Sequence, residues 1–523
     1  MKNLLTLFGL ILWVSCTSNS YDLIIINADV YDGLGNPPAK VDIAISDGEI
    51  IEIGDLGEAK SEKIIDAKGM ALSPGFIDMH THLEPLMDMP LAESHVRQGV
   101  TFALGGPDGG GPWPFESYLD SLDQMELGLN VGYLIGHNSV RRAVLGLDDR
   151  EPNLQELEEM KASIESAMKA GAFGISTGLK YLPGAFSKLD EIISLSKVAS
   201  QNGGIYTSHL REEGVGLIPA VKEAIVISEQ ADIPVVLTHH KAIGVRMWGA
   251  SSQTLALVDS ARAQGLDIMM DQYPYAASHT GISVLIPAWA REGGKFSERV
   301  SDPVLKDSIK AGIIWNILND RGGSDLRRIQ FSRVSWRTEL EGKTLHDWLT
   351  MEGEEPSVEN GAEYVIKAQL NGGTGTIYHA MDEMDVEKIM AHPMTMIGSD
   401  GRLSEPGNGH PHPRAYGTFP RILGYYVREK GVLSLEEAIH KMTGMPAQRL
   451  GLANRGIIKK GMKADLVIFD PQTVIDKSTF VKPHQYPVGI EYVIIDGVLA
   501  LEKGQFLGRT PGRLIRKTEL TER

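Results

Sequence analysis

The sequence predicts an α/β protein in which a TIM-type (β/α)8 barrel occupies residues 74–450 and both chain ends form one small β-domain. Within that barrel segment, short apolar runs typical of strands alternate with helical stretches such as 153–170 and 219–230, which is the rhythm of a parallel barrel. The segments 21–73 and 451–515 instead contain short strand-like runs broken by Gly turns. With 523 residues, 42% of them hydrophobic, the chain is long enough for a barrel and an accessory domain.

Residues 1–16 resemble a bacterial lipoprotein signal peptide. Lys2 precedes an apolar run over 4–14, and Cys16 is the only cysteine of the chain. We expect cleavage before Cys16 and lipidation of its thiol, which gives an exported, membrane-anchored lipoprotein facing the periplasm, with this anchor as its only membrane contact. The apolar run is too short for a spanning helix. Trp13 stands where the usual motif has Leu, so an ordinary secretory signal with a coincidental cysteine is the alternative.

The charge balance argues against a nucleic acid partner. The chain carries 51 basic and 68 acidic residues, a formal charge of −17, and no basic patch interleaved with aromatic residues of the kind that binds a phosphate backbone. We therefore expect a small-molecule substrate. A single cysteine cannot form an internal disulfide, so stability must come from core burial and from bound metal. The sequence does not indicate the oligomeric state.

The strand-like runs at the two chain ends have the same character. Residues 21–31 and 41–54, and later 464–470 and 491–502, are apolar runs with Asp-Gly turns between or beside them. This likeness predicts that the two ends combine in one β-domain. Residues 281–370 fit neither pattern, and we interpret them as an insertion that covers the barrel mouth.

Histidine and aspartate recur at the ends of apolar runs in the barrel segment. His80 and His82 are two residues apart after a strand-like run, so both imidazoles project from one face. His209, His239 and Asp400 each end a later run. The C-terminal ends of barrel strands hold the catalytic groups, and four imidazoles with a carboxylate suit a zinc-type ion. Each residue alone could be an ordinary polar residue at the end of a strand, but the ordered series predicts a metal site.

Five longer motifs lie in the same part of the chain. They are GISTGLKYLPG, SHLREEG, THHK, IGSDG and HPRAYGTFPR, which begin at residues 174, 208, 238, 397 and 412. With the His and Asp series, they resemble the amidohydrolase superfamily and, within it, the N-acyl-D-amino-acid deacylase (D-aminoacylase) family. The resemblance runs from about residue 21 to the C-terminus. It implies a TIM-type barrel flanked by a small β-sandwich.

The resemblance also implies a role for each residue of the series. His209 and His239 would hold the principal metal ion, and His80, His82 and Asp400 a second, weaker site, with Zn²⁺ as the expected cofactor in the form of one or two divalent ions. Such an ion lowers the pKa of the attacking water toward about 7 and polarises the scissile carbonyl. Asp400 would be the catalytic general base and acid, taking a proton from that water and passing it to the leaving amine.

The chain departs from the family pattern at the position of a metal-binding cysteine. Many relatives have Asn-Cys-Gly there, whereas this chain has Pro107-Asp108-Gly109. We expect Asp108 to replace the thiolate as a metal ligand, and because a carboxylate is a harder ligand, the site would be more permissive toward other divalent ions. Lys180, which could bridge two metals if carboxylated, is the rival candidate. A simple turn at Asp108 is the third interpretation.

Substrate recognition requires a cation for the free carboxylate of an N-acyl amino acid, because an unpaired buried carboxylate is costly. By resemblance, Arg414, Lys241 and Tyr181 would bind the substrate's carboxylate and acyl carbonyl, with Tyr181 also placed to stabilise the oxyanion. His279 lies where relatives carry a small hydroxyl residue that contacts substrate. That difference leaves the identity of the substrate open.

The function implied by the resemblance is metal-dependent hydrolysis of the linear amide bond of N-acyl-D-amino acids, which releases a carboxylate and a free D-amino acid. The alternatives at the same site are a dipeptidase acting on L,D-dipeptides and a cyclic-amide hydrolase of the hydantoinase or dihydroorotase type. Arg414 and Lys241 together favour a linear substrate with a free carboxylate. A metal-free, non-catalytic scaffold is the remaining alternative, and the complete ligand series disfavours it.

Overall fold

The computed structural model describes residues 20–57, 59–321 and 323–521, and it is an α/β structure with parallel sheets. Cys16 and the expected signal peptide lie outside the described residues. In the described part of the chain, no helix combines the length and the apolar character needed to cross a membrane.

Both chain ends contribute strands to one nine-stranded sheet. Leu466–Phe469 from the C-terminal part pairs antiparallel with Ala71–Pro74 from the N-terminal part. Apolar side chains from both parts, such as Ile43, Leu72 and Ile494, are fully buried in one cluster, so the two ends share a hydrophobic core. The other strands of this sheet are Tyr21–Val30, Ala39–Ser46, Glu49–Gly54, Ser61–Asp66, Ile490–Ile495, Val498–Glu502 and Gln505–Phe506.

Parallel strands form the middle of the chain, and nearly every residue in them is buried, as expected where helices cover a sheet. The three-stranded parallel sheet contains Phe76–Asp78, Val100–Gly105 and Asn130–Tyr133. The six-stranded parallel sheet contains Ile135–Gly136, Gly174–Gly178, Ile205–His209, Val235–Leu237, Ile268–Gln272 and Thr395–Ile397.

Two further contacts connect these parallel sheets. The amide of Leu134 donates to the carbonyl oxygen of Gly105 at 3.0 Å, next to the point where one sheet follows the other along the chain. At the opposite edge, the short strand Gly401–Arg402 pairs in parallel with Thr81–His82. This pairing brings the segment that follows Thr395–Ile397 beside the segment that follows Phe76–Asp78.

Helices connect the parallel strands. The amide of Glu156 donates to Asn153 Oδ1 at 3.0 Å, and the amide of Asn153 donates to Glu156 Oε2 at 2.8 Å. This capping box fixes the start of Leu154–Lys169. That helix and Leu217–Ala231 lie where the sequence predicts helices. Other helices are Phe115–Leu122, His137–Leu145, Leu189–Gln201, Ser251–Ala263, Glu383–Ala391, Arg414–Arg421, Leu435–Met442 and Gly444–Leu450.

Between Ile268–Gln272 and Thr395–Ile397 the chain leaves the parallel sheet and forms a separate layer. This layer contains residues 281–370, which the sequence predicts to be an insertion. Trp348 is its fully buried centre. The layer has a three-stranded antiparallel sheet of Ser278–Gly281, Ile329–Arg333 and Gly375–Tyr378. Its helices are Ala288–Arg291, Phe296–Ser301, Pro303–Asp320, Leu345–Met351 and Val358–Leu370.

Candidate metal centre

The six candidate ligands lie at the carboxyl ends of parallel strands, within three residues of a strand end or in a short pairing strand: His80, His82, Asp108, His209, His239 and Asp400. Three of them adopt the left-handed backbone region, with φ of 56° at Asp108, 37° at His239 and 49° at Asp400. Each such residue costs on the order of 1–3 kcal/mol, a strain that is concentrated at functional sites.

The six side chains converge, and Asp108 belongs to both halves of the cluster. One group consists of His80, His82, Asp108 and Asp400, and the other of Asp108, His209 and His239. Asp108 Oδ1 lies 3.2 Å from His239 Nε2 and 3.5 Å from His80 Nε2. Asp400 Oδ1 lies 3.1 Å from His82 Nε2 and 3.6 Å from His80 Nε2. Two overlapping groups with a shared carboxylate are an arrangement that can hold two divalent ions.

The chemistry of this cluster fits a zinc-type ion. Four imidazoles and two carboxylates supply the nitrogen and oxygen ligands that zinc accepts. His80 is fully buried, yet neither of its ring nitrogens has a hydrogen-bond partner, and its Nε2 lies only 3.5 Å from Asp108 Oδ1 and 3.6 Å from Asp400 Oδ1. Buried polar atoms are normally satisfied, so these orphaned nitrogen atoms indicate a site built for a group that accepts nitrogen ligands.

The electrostatics of the cluster keep its carboxylates charged. Burial raises the pKa of the Asp108 carboxyl, but the imidazoles of His80 and His239 outweigh burial and hold that pKa well below its usual range. Burial likewise opposes ionisation of Asp400, and the Arg414 guanidinium holds the pKa of Asp400 far below normal. Burial lowers the pKa of His209 to about 3, so this imidazole is neutral, which is the form that binds metal.

Lys241 lies apart from the other predicted substrate residues. Its side chain is 3% exposed and does not line the cavity described below. Lys241 Nζ instead donates to Glu213 Oε1 at 2.5 Å and lies 2.7 Å from His239 Nδ1. Glu213 also lies 3.2 Å from His239 Nδ1 and 3.7 Å from His209 Nε2. Lys241 and Glu213 therefore form a buried ion pair on the Nδ1 side of the His239 ring, and the substrate-binding role of Lys241 stays a prediction.

Glu213 is a site residue that the sequence analysis missed. It stands four residues after His209 inside the SHLREEG motif, and that position in a motif was the only available signal. Burial raises the pKa of the Glu213 carboxyl, but Lys241 and the two histidines outweigh burial and hold it well below its usual range. Glu213 therefore stays charged beside the metal-ligand candidates and orients their rings.

Lys180, the rival to Asp108 as a bridging group, lies elsewhere. Its Nζ donates to both carboxylate oxygens of Glu212, at 2.7 and 2.8 Å. Lys180 is in neither ligand group. The geometry favours Asp108 because its carboxylate is the group that both halves of the cluster share.

A cavity of about 1110 Å³ opens above the cluster. Its lining includes His82, Asp108 and Asp400 from the cluster and Tyr181, His279 and Arg414 from the predicted substrate residues. Sequence-distant residues thus meet in one chamber, large enough for a small molecule.

The predicted substrate residues have distinct surroundings in this cavity. Tyr181 Oη lies 3.3 Å from His209 Nδ1, and burial raises the pKa of its phenol well above normal, so the phenol stays a hydrogen-bond donor. Arg414 Nη1 lies 2.7 Å from Asp400 Oδ2. His279 Nε2 lies 2.7 Å from Ser332 Oγ, and burial lowers the pKa of His279 to about 3, so this ring is neutral.

Fold and site together define a class of protein. Parallel strands that carry imidazoles and carboxylates at their carboxyl ends, beneath a cavity with an arginine and a tyrosine, are typical of metal-dependent hydrolases.

Comparisons with known proteins identify the family. A profile described as "Amidohydrolase family" matches residues 63–293 and 367–500. D-aminoacylase of Alcaligenes xylosoxydans xylosoxydans is 34% identical over 526 residues, covering 96% of this chain and 99% of the relative. N-acyl-D-glutamate deacylase of the same organism is 34% identical over 522 residues, covering 95% of this chain and 96% of the relative.

A solved structure agrees with these relatives. N-acyl-D-glutamate deacylase from Bordetella bronchiseptica, complexed with zinc and a phosphonate mimic of the tetrahedral intermediate, superposes with a TM-score of 0.81 at 32% identity, covering 95% of this chain and 100% of that one. The chain therefore belongs to the amidohydrolase family, and within it to the N-acyl-D-amino-acid deacylases. The family predicted from the sequence motifs is confirmed, and with it the prediction that the protein is an enzyme of the hydrolase class.

Proposed function

We propose that the protein is a zinc-dependent deacylase that hydrolyses the amide bond of N-acyl-D-amino acids to a carboxylate and a free D-amino acid. The observation that carries this proposal is the pair of ligand groups sharing Asp108 at the base of a cavity that Arg414 and Tyr181 also line. Relatives that act on these substrates, with 34% identity along nearly the whole chain, support it.

His209 and His239 would hold one Zn²⁺ ion, His80, His82 and Asp400 would hold a second, and Asp108 would contribute to both. When bound, zinc supplies Lewis acidity, which activates a water molecule and polarises the carbonyl. The Lys241–Glu213 pair keeps the His239 ring oriented from behind.

Residues of the chain bind the substrate and transfer the proton. Arg414 binds the free carboxylate of the substrate with its planar fork, and the Tyr181 phenol donates a hydrogen bond to the oxygen that develops negative charge. Asp400 Oδ2 is held by Arg414, so its Oδ1 is the atom that takes the proton of the attacking water. The water oxygen bonds to the carbonyl carbon, the carbon–nitrogen bond breaks, and Asp400 passes its proton to the leaving amine nitrogen.

We propose that the parallel sheets form one closed TIM-type (β/α)8 barrel and that the nine-stranded sheet of the chain ends curls into a small β-sandwich. Support comes from the parallel pairing of Gly401–Arg402 with Thr81–His82, which connects the last strand to the first, and from the core that both chain ends share. The domain boundaries would be 74–450 for the barrel and 21–73 with 451–515 for the sandwich.

We also propose that Cys16 is lipidated and anchors the exported protein to a bacterial membrane on its periplasmic side. The support is the sequence pattern of residues 1–16. Metabolic labelling with an alkyne fatty acid should mark the full-length protein and leave the Cys16→Ser variant unmarked. Equal labelling of both proteins would contradict this proposal.

The deacylase proposal is tested by release of free amino acid from N-acetyl-D-amino acids, their L-enantiomers and L,D-dipeptides, with zinc-reconstituted protein. We expect turnover of N-acetyl-D-amino acids and none of the L-enantiomers. Asp400→Asn should abolish turnover, because an amide cannot carry the proton, while leaving the fold intact by circular dichroism. Zinc-loaded protein that turns over only L-enantiomers, or nothing in the panel, would contradict the proposal.

A further inference from the structure

Asn138 is a buried residue beside the cavity that the proposed reaction does not use. It is 6% exposed, lies in the first turn of the helix His137–Leu145, and lines the cavity. Its Nδ2 donates to the carbonyl oxygen of Gly178 at 3.0 Å and to that of Tyr181 at 3.3 Å. Both acceptors belong to the turn that ends the strand Gly174–Gly178. Asn138 therefore holds the backbone of the residue proposed to bind the oxyanion.

The Asn138 amide has no hydrogen-bonding capacity left for a substrate. Its Oδ1 accepts from the backbone amide of Gly178 at 3.4 Å and lies 3.2 Å from His137 Nδ1. These contacts and the two made by Nδ2 use both donors and both lone pairs of the side-chain amide. A Cβ atom added at Gly109 or Gly184 would lie 2.3 or 2.4 Å from this oxygen, so the amide is also tightly enclosed. Any effect of Asn138 on the reaction must pass through the groups that it holds.

A buried charged network fixes the orientation of the Asn138 amide. His137 Nε2 lies 2.8 Å from Glu191 Oε1, and Arg141 pairs with the other oxygen of this carboxylate. Burial raises the pKa of the Glu191 carboxyl, but His137 and Arg141 outweigh burial and hold that pKa below its usual range. Because His137 faces a carboxylate with Nε2 and the acceptor oxygen of Asn138 with Nδ1, it donates from both nitrogens. A flipped Asn138 amide would place its own donors against the His137 N–H.

The same helix contacts this turn a second time. Arg142 Nη2 donates to the carbonyl oxygen of Leu182 at 3.0 Å. Residues four apart lie on one face of a helix, so Asn138 and Arg142 face the turn together. The Arg142 contact is exposed to solvent, whereas the Asn138 contact with Gly178 is buried. Asn138 is therefore the stronger constraint on the backbone of Tyr181.

The phenol of Tyr181 needs this constraint to meet a developing oxyanion. Its Oη lies 3.3 Å from His209 Nδ1 and accepts a hydrogen bond from Thr280 Oγ1 at 3.2 Å. A donor stabilises an oxyanion from about 2.7–3.1 Å, and a misplacement of about 1 Å can cost about 100-fold in rate. A shift of the turn by that distance would remove the contribution of the phenol.

We propose that Asn138 is a positioning residue that holds the Tyr181 phenol where the transition state requires it, and that it contacts neither substrate nor metal. This inference rests on the deacylase function proposed above. Because the Tyr181 hydrogen bond strengthens only when the carbonyl oxygen becomes charged, loss of Asn138 should lower kcat and leave KM nearly unchanged.

The test is a double-mutant cycle on zinc-reconstituted full-length enzyme, with the N-acetyl-D-amino acid that it hydrolyses fastest. Tyr181→Phe should lower kcat by on the order of 100-fold, the cost of one oxyanion donor. Asn138→Ala should lower kcat by at least about tenfold and change KM by less than about threefold. In the double variant, kcat should match that of Tyr181→Phe within about threefold, because the phenol through which Asn138 acts is already absent.

Two further variants separate positioning from a general loss of structure. Asn138→Asp keeps the shape but removes both donors, so it should also lower kcat, and it serves if Asn138→Ala does not fold. The matched control is Asn153→Ala. Asn153 also bonds backbone with its side chain, at the start of Leu154–Lys169, and it does not line the cavity. Asn153→Ala should lose stability through its helix cap and keep kcat.

Hydrogen exchange of the metal-free proteins, followed by mass spectrometry, gives a readout that does not depend on activity. Amides of residues 179–186 should exchange faster in Asn138→Ala than in the unsubstituted protein, because local opening of the turn becomes easier. Asn153→Ala should leave exchange in this segment unchanged. Equal exchange of residues 179–186 in all three proteins would overturn the inference.

The kinetic outcomes separate this inference from the deacylase proposal. Unchanged kcat in either single variant, or losses that multiply in the double variant, would overturn the positioning role and leave the deacylase intact. A zinc affinity that falls in step with kcat would also overturn it, because Asn138 would then act through Asp108, whose neighbour Gly109 lies against the amide. Absence of turnover by the unsubstituted enzyme would overturn the deacylase proposal, and this inference with it.

Discussion

Glu213→Gln is expected to lower both the free energy of unfolding and the affinity for zinc, because the Glu213 carboxylate pairs with Lys241 and also contacts His239. The Glu213 and Lys241 side chains are 6% and 3% exposed and form an ion pair. Gln keeps the shape of Glu but removes the charge, so the Lys241 ammonium is left buried without compensation. Breaking a buried pair in this way costs about 3–5 kcal/mol of the free energy of unfolding.

The same substitution weakens the support of two metal-ligand candidates. Glu213 contacts His239 Nδ1 at 3.2 Å and lies 3.7 Å from His209 Nε2. Loss of a carboxylate that orients ligand histidines typically costs about 10–100-fold in metal affinity. Because the stability loss is measured on metal-free protein and the affinity loss on folded protein, the two effects are separable.

The preceding residue provides a matched control. Glu212 pairs with Lys180, but its side chain is 38% exposed, and pairs exposed to solvent contribute only about 0–1 kcal/mol. Glu212→Gln should therefore change neither quantity appreciably. The double substitution Glu213→Gln with Lys241→Met removes both buried charges, so it should recover most of the stability without recovering metal affinity.

Urea unfolding of the metal-free proteins measures the first quantity, and competition with a zinc chelator measures the second. A Glu213→Gln protein that matches Glu212→Gln in unfolding free energy would refute the reasoning about the buried pair. An unchanged zinc dissociation constant would refute the role of Glu213 in holding the histidines.

Four further predictions concern single residues. Asp108→Asn should weaken zinc binding by more than the roughly tenfold that loss of a supporting hydrogen bond costs, whereas Lys180→Ala should leave the metal content unchanged in elemental analysis. Arg414→Lys should raise KM for N-acetyl-D-amino acids by about tenfold, since Lys cannot form the bidentate fork, and unchanged steady-state kinetics would contradict its role. Asn153→Ala should lower the free energy of unfolding in urea by about 1 kcal/mol through loss of the helix cap. Burial lowers the pKa of Lys441 from 10.5 to about 8, so between pH 8 and 10.5 the unfolded chain binds more protons than the folded chain. The free energy of unfolding should therefore rise by up to about 3 kcal/mol from pH 8 to 10.5. Lys441→Met should lack this rise in urea titrations across that pH range.

Much of the fold and the family was predictable because the signals are local. A strand-end histidine such as His209 is recognised from the apolar run before it, and the capping box at Asn153 marks a helix start within four residues. The α/β class and the family follow from the order of such signals along the chain, and both are confirmed at that level. These signals depend on local hydrogen bonding and side-chain periodicity, so they can be recognised without knowledge of long-range contacts.

The pairing of the two lysines near the site depends on long-range partners. Lys241, which the sequence predicts to bind substrate, pairs with Glu213, a carboxylate 28 residues earlier on the neighbouring strand end. Lys180 was kept from the metal cluster in a similar way by Glu212, 32 residues later. A cation binds whichever carboxylate the packing of adjacent strands brings within reach, and a motif does not encode that distance.

The sequence alone therefore determined the series of candidate metal ligands and the family to which the chain belongs, because each candidate follows the end of its own strand. Tertiary structure alone decided how those residues and their neighbours pair. It made Asp108 the shared carboxylate and paired Lys241 with Glu213 beside His239. The physical reason is that Coulomb and hydrogen-bond energies depend on distance and burial, and only the folded chain fixes those.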